Sequence, residues 1–182
     1  MRIISGARKG MLLQGPPKSV KTRPTEDKLK EAIFNIIQPL HKEAVCLDLF
    51  AGTGQVGIEF LSRGASFVFF SEKSKKMTSI IRENIEKAGY AEQSQILLGD
   101  FRKNIAQAPV RFDYVYIDPP FKFGLEEKAL LTLSRLDKLK VGAQVIVESS
   151  SDDDFDEVIE GFYLDFKRVY KAQTVRIYRE KK

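Results

Sequence analysis

The chain has 182 residues, 43% hydrophobic and 30% charged, with a formal net charge of +5. That length suits one sizeable core and is short for two. The composition is that of an ordinary soluble globular protein. No apolar run approaches the ~18 residues of a membrane span, and the opening MRIISGARKG lacks the apolar stretch of a secretory signal, so the expected location is cytoplasmic and no membrane partner is expected. One cysteine, Cys46, and one histidine leave no internal disulfide and nearly exclude a thiolate or imidazole metal cage; no metal is expected.

Residues 1–30 hold eight Lys or Arg against Glu26 and Asp27, a net of +6, which leaves −1 on the other 152 residues. A basic segment on a nearly neutral body reads as a localised contact for a polyanion, nucleic acid above all, with a solvated tail as the plain alternative. RIISG and GMLLQ, flanking Ala7 to Lys9, suggest a hairpin. TEDKLKEAIFNII suggests a helix capped by Thr25, with Leu29, Ile33, Phe34 and Ile37 on one face. Residues 1–42 are thus expected to be a basic, nucleic-acid-docking extension, and 43–182 the main domain. Within it, strands are predicted at Val45–Leu49, Phe67–Ser71, Gln95–Leu98, Tyr114–Ile117 and Ala143–Glu148, separated by amphipathic stretches near Val56–Arg63, Ser74–Ala88, Phe101–Ala108 and Glu126–Leu136. Such alternation implies a parallel sheet covered on both faces. FYLDFKRVYKAQTVRIYRE reads as two extended runs around a turn at Ala172 and Gln173, an antiparallel pair that completes the sheet. The acidic run SSSDDDFDE lacks calcium-loop spacing and reads as a solvated helix start.

DLFAGTGQVG follows the first strand with Gly52, Gly54 and Gly57 in G-x-G-x-x-G spacing, which lets backbone turn sharply and approach a ligand at a helix mouth. Glu72, at the end of the second strand, is placed to accept from ribose hydroxyls. These features alone would suit an NAD-dependent oxidoreductase. Asp48 argues otherwise, because a carboxylate just before the loop repels a pyrophosphate and welcomes a cation. S-adenosylmethionine, with a ribose and adenine but a positive ammonium and sulfonium, fits better. Asp100 ends the third strand, placed for the adenine amino group with Phe101 packing on the ring; a simple helix cap is the alternative for Asp100 alone.

The fourth strand ends in YIDPPF. Pro119 and Pro120 lack N–H groups, and Pro119 holds Asp118 extended, so the turn presents acceptors with no adjacent donor. A nucleobase amine is a poor nucleophile because its lone pair is delocalised. Accepting its two hydrogens at the Asp118 carboxylate and the Pro119 carbonyl aims that lone pair at a methyl group, with Phe121 stacked on the base.

DLFAGTGQVGIEFLSRGA followed by DPPF resembles the class I methyltransferases of exocyclic amines. RIISGARKG, TRPTEDKLKEAIFNII and the closing TVRIYR resemble the bacterial ribosomal RNA small subunit methyltransferase D family over nearly the whole chain. The resemblance implies a Rossmann-like α/β fold with a mostly parallel seven-stranded sheet, an antiparallel C-terminal strand pair and a small N-terminal hairpin-plus-helix extension. It implies methyl transfer from S-adenosylmethionine to a guanine amine in 16S rRNA, free or in an assembling small subunit, by a protein expected to be monomeric. Matched by motif, Asp48 and the Gly52–Gly54 turn lie at the methionine end of the cofactor, Glu72 at the ribose, and Asp100 and Phe101 at the adenine, with Phe50 and Thr53 also among the cofactor contacts. Asp118, Pro119, Pro120 and Phe121 meet the base. Arg23 and Thr25 belong to the family's RPT, and Arg2, Arg8, Lys9 and Lys21 complete the RNA-contact candidates. An adenine-amine DNA methyltransferase of the same fold is the nearest rival, disfavoured by the lack of an obvious sequence-reading domain; a non-catalytic RNA-binding module would leave the strand-end acids without a purpose.

Overall fold

A computed structural model describes residues 1–16, 27–120, 124–151 and 158–181. Among them, β1 (Val45–Asp48), β2 (Phe67–Glu72), β3 (Ser94–Leu98), β4 (Phe112–Ile117), β5 (Leu139–Ser150), β6 (Phe162–Tyr170) and β7 (Gln173–Glu180) form one sheet in the order β3-β2-β1-β4-β5-β7-β6. The first five are parallel and β7 runs antiparallel to both neighbours. The order reverses between β1 and β4, and such a switch point opens a crevice at the carboxyl ends of the strands. The mostly parallel, seven-stranded architecture expected from the sequence is therefore present.

Strand alternation sorts the core onto two faces. Cys46, Phe70, Tyr114 and Ile146 pack on one side with helices α1 (Asp27–Ile37), α2 (Gln55–Ser62) and α3 (Lys75–Ala88). Leu47, Phe69, Val115 and Val145 pack on the other with α4 (Phe101–Gln107) and α5 (Leu125–Arg135). The sequence periodicity errs where pattern and pairing diverge. β5 begins at Leu139, not Ala143, because Leu139 pairs with Phe112 and the ladder resumes at Tyr114 after a register shift; exposed residues there carry no strand-like alternation. The closing turn falls at Lys171 and Ala172, so Gln173 already belongs to β7. Thr25 and residues 152–157 lie outside the described residues, as do their predicted cap and helix start.

The N-terminal hairpin is a single bridge, Arg2 opposite Leu12, braced by Ile3 N–H to Met11 O (2.9 Å) and Gly10 N–H to Ile3 O (2.8 Å). Its Ile3 and Leu13 enter the same cluster as Phe34 and Phe60. This explains why α2 is buried all round although its sequence reads as amphipathic. Its outward acid, Glu59, has no exposed surface and accepts from Ile4 N–H (2.8 Å) and Ser5 N–H (3.0 Å) and from Arg63 Nε (2.7 Å), with Lys30 Nζ 3.6 Å away. Burial lowers the Lys30 pKa, and the Glu59 charge works against that shift.

Glu59→Ala leaves two buried cations, Lys30 and Arg63, without their counter-ion and two backbone donors without their acceptor, an arrangement that costs roughly 3–5 kcal/mol. Urea denaturation is expected to show a loss of that order, and an unchanged midpoint would contradict the role of Glu59 as the anchor of the extension.

Candidate active site

A cleft of about 830 Å³ lies at the carboxyl ends of the strands, walled by Asp48, Glu72, Asp100 and Asp118 from β1, β2 and the residues just beyond β3 and β4. Phe50, Gly52, Thr53, Phe101, Pro119 and Pro120 line it too, so the structure brings together nearly all the predicted cofactor and base residues. Gly54 stands behind the loop as the cap of α2, at φ 78°, a left-handed conformation that glycine adopts without strain. Phe121 lies outside the described residues.

Two carboxylates hold the glycine turn. Asp48, 2% exposed, accepts from Gly57 N–H through Oδ2 (2.9 Å). Glu72 accepts from Gly52 N–H (2.9 Å) and, through its other oxygen, from Ser74 N–H (2.8 Å). Gly57 is required by packing, since a Cβ there would lie 2.1 Å from the Phe70 ring. Burial pushes the Asp48 pKa up to about 7, with the neighbouring Glu72 charge adding to the rise and the Gly57 hydrogen bond opposing it. Asn84, fully buried, donates to Thr53 O (2.9 Å) and Gln14 O (3.1 Å), and accepts from Gln14 N–H (2.7 Å), so the loop, α3 and the N-terminal extension share one clasp.

At the other end, Asp100 caps α4, accepting from Arg102 N–H (3.0 Å), and pairs with the Arg102 guanidinium, whose hydrogen bonding holds the carboxyl below the usual carboxylate range. The cap is therefore present, with the carboxylate still on the cleft wall. Phe101 lies 5.4 Å from Phe50, centroid to centroid, which gives this end two tilted aromatic rings. Asn104 braces the wall from below through Ser71 Oγ (2.9 Å) and Leu97 O (2.8 Å).

Beyond β4, Asp118 is half-buried, Pro119 buried and Pro120 exposed. Behind them lies a group the sequence reading passed over. Glu148, fully buried, accepts from the Tyr116 hydroxyl on one oxygen and from Gln173 Nε2 on the other, and both donors line the cleft. The signal was present, for Glu148 is an acid at the end of a predicted strand, like Asp48 and Glu72. Gln55, the first residue of α2, also lines the cleft and was passed over.

The described basic candidates, Arg2, Arg8 and Lys9, do not line the cleft. Arg2 is exposed but paired with Asp27 (3.0 Å), Arg8 donates to Ala88 O (2.9 Å) at the end of α3, and Lys9 is exposed. Lys21, Arg23 and Thr25 lie outside the described residues. Among the described residues, no group of three His, Cys, Asp or Glu could hold a metal ion, and no helix is long and apolar enough to cross a membrane.

The sequence profile of the family described as "Conserved hypothetical protein 95" matches residues 1–179. Ribosomal RNA small subunit methyltransferase D of Haemophilus influenzae is 38% identical over 159 residues, 84% of this chain and 80% of that one. The chain belongs to the ribosomal RNA small subunit methyltransferase D family. The Escherichia coli member is 32% identical over 180 residues, 98% of this chain and 89% of its own. A solved structure described as a methyltransferase of Escherichia coli superposes with a TM-score of 0.88 at 28% identity, covering 100% of this chain and 98% of that one. The family resemblance carried by RIISGARKG, TRPTEDKLKEAIFNII and TVRIYR thus holds over nearly the whole chain.

The Asp48 shift has a measurable consequence. Folded protein keeps a proton that the unfolded chain releases above about pH 4, so this contribution is full at low pH and is lost as pH rises through about 7. The denaturation midpoint of the ligand-free wild type is expected to fall relative to Asp48→Asn over that window. Parallel pH profiles for the two proteins would contradict the buried, proton-holding carboxyl.

Proposed function

We propose that this protein transfers a methyl group from S-adenosylmethionine to the exocyclic amine of a guanine in 16S rRNA. The observation that carries the reading is the convergence of four strand-end carboxylates and a Pro-Pro turn on one cleft. The names of the relatives support ribosomal RNA as the substrate. The residues present fit the cofactor. The loop offers acceptors to a cation, and Gln55 Oε1, buried on the cleft wall, has no hydrogen-bond partner of its own. Glu72 has lone pairs left for a ribose after its two backbone bonds, and the contacting rings of Phe50 and Phe101 offer an aromatic wall to adenine. When bound, S-adenosylmethionine supplies an electrophilic methyl group on sulfur and leaves as S-adenosylhomocysteine.

The chain's own residues do the rest. Asp118 and the Pro119 carbonyl accept the two amine hydrogens and orient the nitrogen lone pair. As the nitrogen forms its new bond to carbon it gains positive charge, which the Asp118 carboxylate offsets before a proton is lost. The extension of residues 1–42 docks RNA phosphates, with exposed Lys9 the freest of the described N-terminal candidates because Arg2 and Arg8 already hold internal partners. A dinucleotide reading fails on Asp48, whose carboxylate lies directly beneath the loop that would carry a pyrophosphate. The protein acts as a cytoplasmic monomer.

Two measurements test this. Asp118→Ala is expected to abolish most turnover while RNA remains bound, and Asp118→Asn to lose on the order of a hundredfold if charge dominates; full activity in the Ala variant refutes the role. Cofactor affinity is expected to rise with pH between about 5.5 and 7.5, because the cation selects the ionised Asp48 and binding releases its proton. Calorimetry in buffers of different ionisation enthalpy reads that proton, and pH-independent binding would remove Asp48 from the cation site.

A further inference from the structure

The Tyr116–Glu148–Gln173 group is more polar than a structural filler at this position needs to be. Gln173 is 7% exposed and yet lines the cleft. Its Nε2 donates to a carboxylate that has no exposed surface and whose second oxygen is taken by the Tyr116 hydroxyl. That bond fixes which way the amide faces. The opposite rotamer would set the amide oxygen against a carboxylate oxygen, two acceptors with no proton between them. The carbonyl oxygen Oε1 is therefore the end turned away from Glu148. The strand register locates it. Ile117 pairs with Val147, so Asp118 stands level with Glu148, and Gln173 pairs with Ser150, two residues nearer the mouth. β7 lies two strand spacings from β4, roughly 10 Å, a gap that an aspartate, the edge of one base and a glutamine together span.

We propose that Gln173, oriented by Glu148, selects guanine over other amine-bearing purines by accepting the N1–H of the target base. The proposal rests on the guanine-amine reading above. Guanine carries N1–H directly beside its 2-amino group, so a base whose amine is held at Asp118 and Pro119 presents a third donor to the β7 side of the cleft. A purine whose N1 is a bare acceptor sets a lone pair against the Gln173 carbonyl and leaves that oxygen unpaired. Buried acceptors that lose their donor discriminate strongly, because the penalty falls on the wrong substrate alone. Gln173 is then a specificity residue that touches the substrate, and Glu148 is a positioning residue that acts through it.

The discriminating substrate is 2-aminopurine, which keeps the 2-amino group and ring of guanine but has no proton on N1. Small-subunit RNA assembled with its proteins, carrying either guanine or 2-aminopurine at the methylated position, is compared by kcat/KM for the wild type, Gln173→Ala and Gln173→Met. Wild type is expected to prefer guanine by roughly ten- to a hundredfold. Both variants are expected to reduce that preference to within about threefold through a fall in the guanine rate. Unchanged calorimetric binding of S-adenosylhomocysteine shows that the variants keep their fold. A preference retained in both variants, or absent in the wild type, overturns the proposal. Methylation of neither base at the amine by the wild type overturns the guanine reading itself, a result distinct from a retained preference.

Discussion

The site depends on a tight turn held from beneath by two carboxylates. The chain passes from β1 to α2 through Gly52 and Gly54, and two backbone donors of this stretch are held by side-chain carboxylates: Gly57 N–H by Asp48 and Gly52 N–H by Glu72. Both acids come from strand ends whose positions the sheet fixes by parallel pairing, Asp48 opposite Phe70 and Glu72 opposite Leu98. The loop is thus preorganised by the sheet. The arrangement sets an acidic, poorly solvated floor under the cleft, where an ionised Asp48 is disfavoured. Such a floor disfavours a phosphate and is costly until a cation arrives, which is the physical content of the raised Asp48 pKa.

That floor is tied to the N-terminal extension through the middle of the molecule. Asn84 joins Thr53 on the loop to Gln14 of the extension, and Glu59 on α2 collects the backbone of Ile4 and Ser5. A segment that reads in sequence as a basic arm is, in its first sixteen residues, partly core: Ile3 and Leu13 are buried with Phe34 and Phe60. Its charges are used unevenly as a result. Arg8 is drawn onto the end of α3 and Arg2 onto Asp27, while Lys9 at the tip of the hairpin is exposed. Internal pairing, more than charge count or exposure, separates the cations that hold the fold from Lys9.

Much of this was legible in the sequence because it depends on short-range pattern. Short apolar runs located β1 and β2, and glycine spacing located the turn. Ser74 and Gly89 mark the ends of α3, where they serve as its caps. What was not legible depends on residues distant in sequence. α2 reads as a surface helix because nothing local announces that Ile4 and Ser5 will cover Glu59. The start of β5 is hidden because Leu139 is held by Phe112 across a register shift and not by a hydrophobic alternation of its own. Glu148 and Gln173 escaped for a related reason: the acid met the strand-end criterion, but its donors come from β4 and from the first residue of β7, which the sequence placed in a turn.

The central claim is chemical: a guanine amine of small-subunit RNA, held at Asp118, receives the methyl group. The most direct measurement is mass-spectrometric mapping of small-subunit rRNA from a strain lacking the gene, complemented with either the wild-type or the Asp118→Ala gene. The account predicts one N2-methylguanosine that is missing in the deletion strain, restored by the wild type and not restored by the variant. A methyl group that persists without the gene, returns with the Ala variant, or appears on an adenine would contradict it.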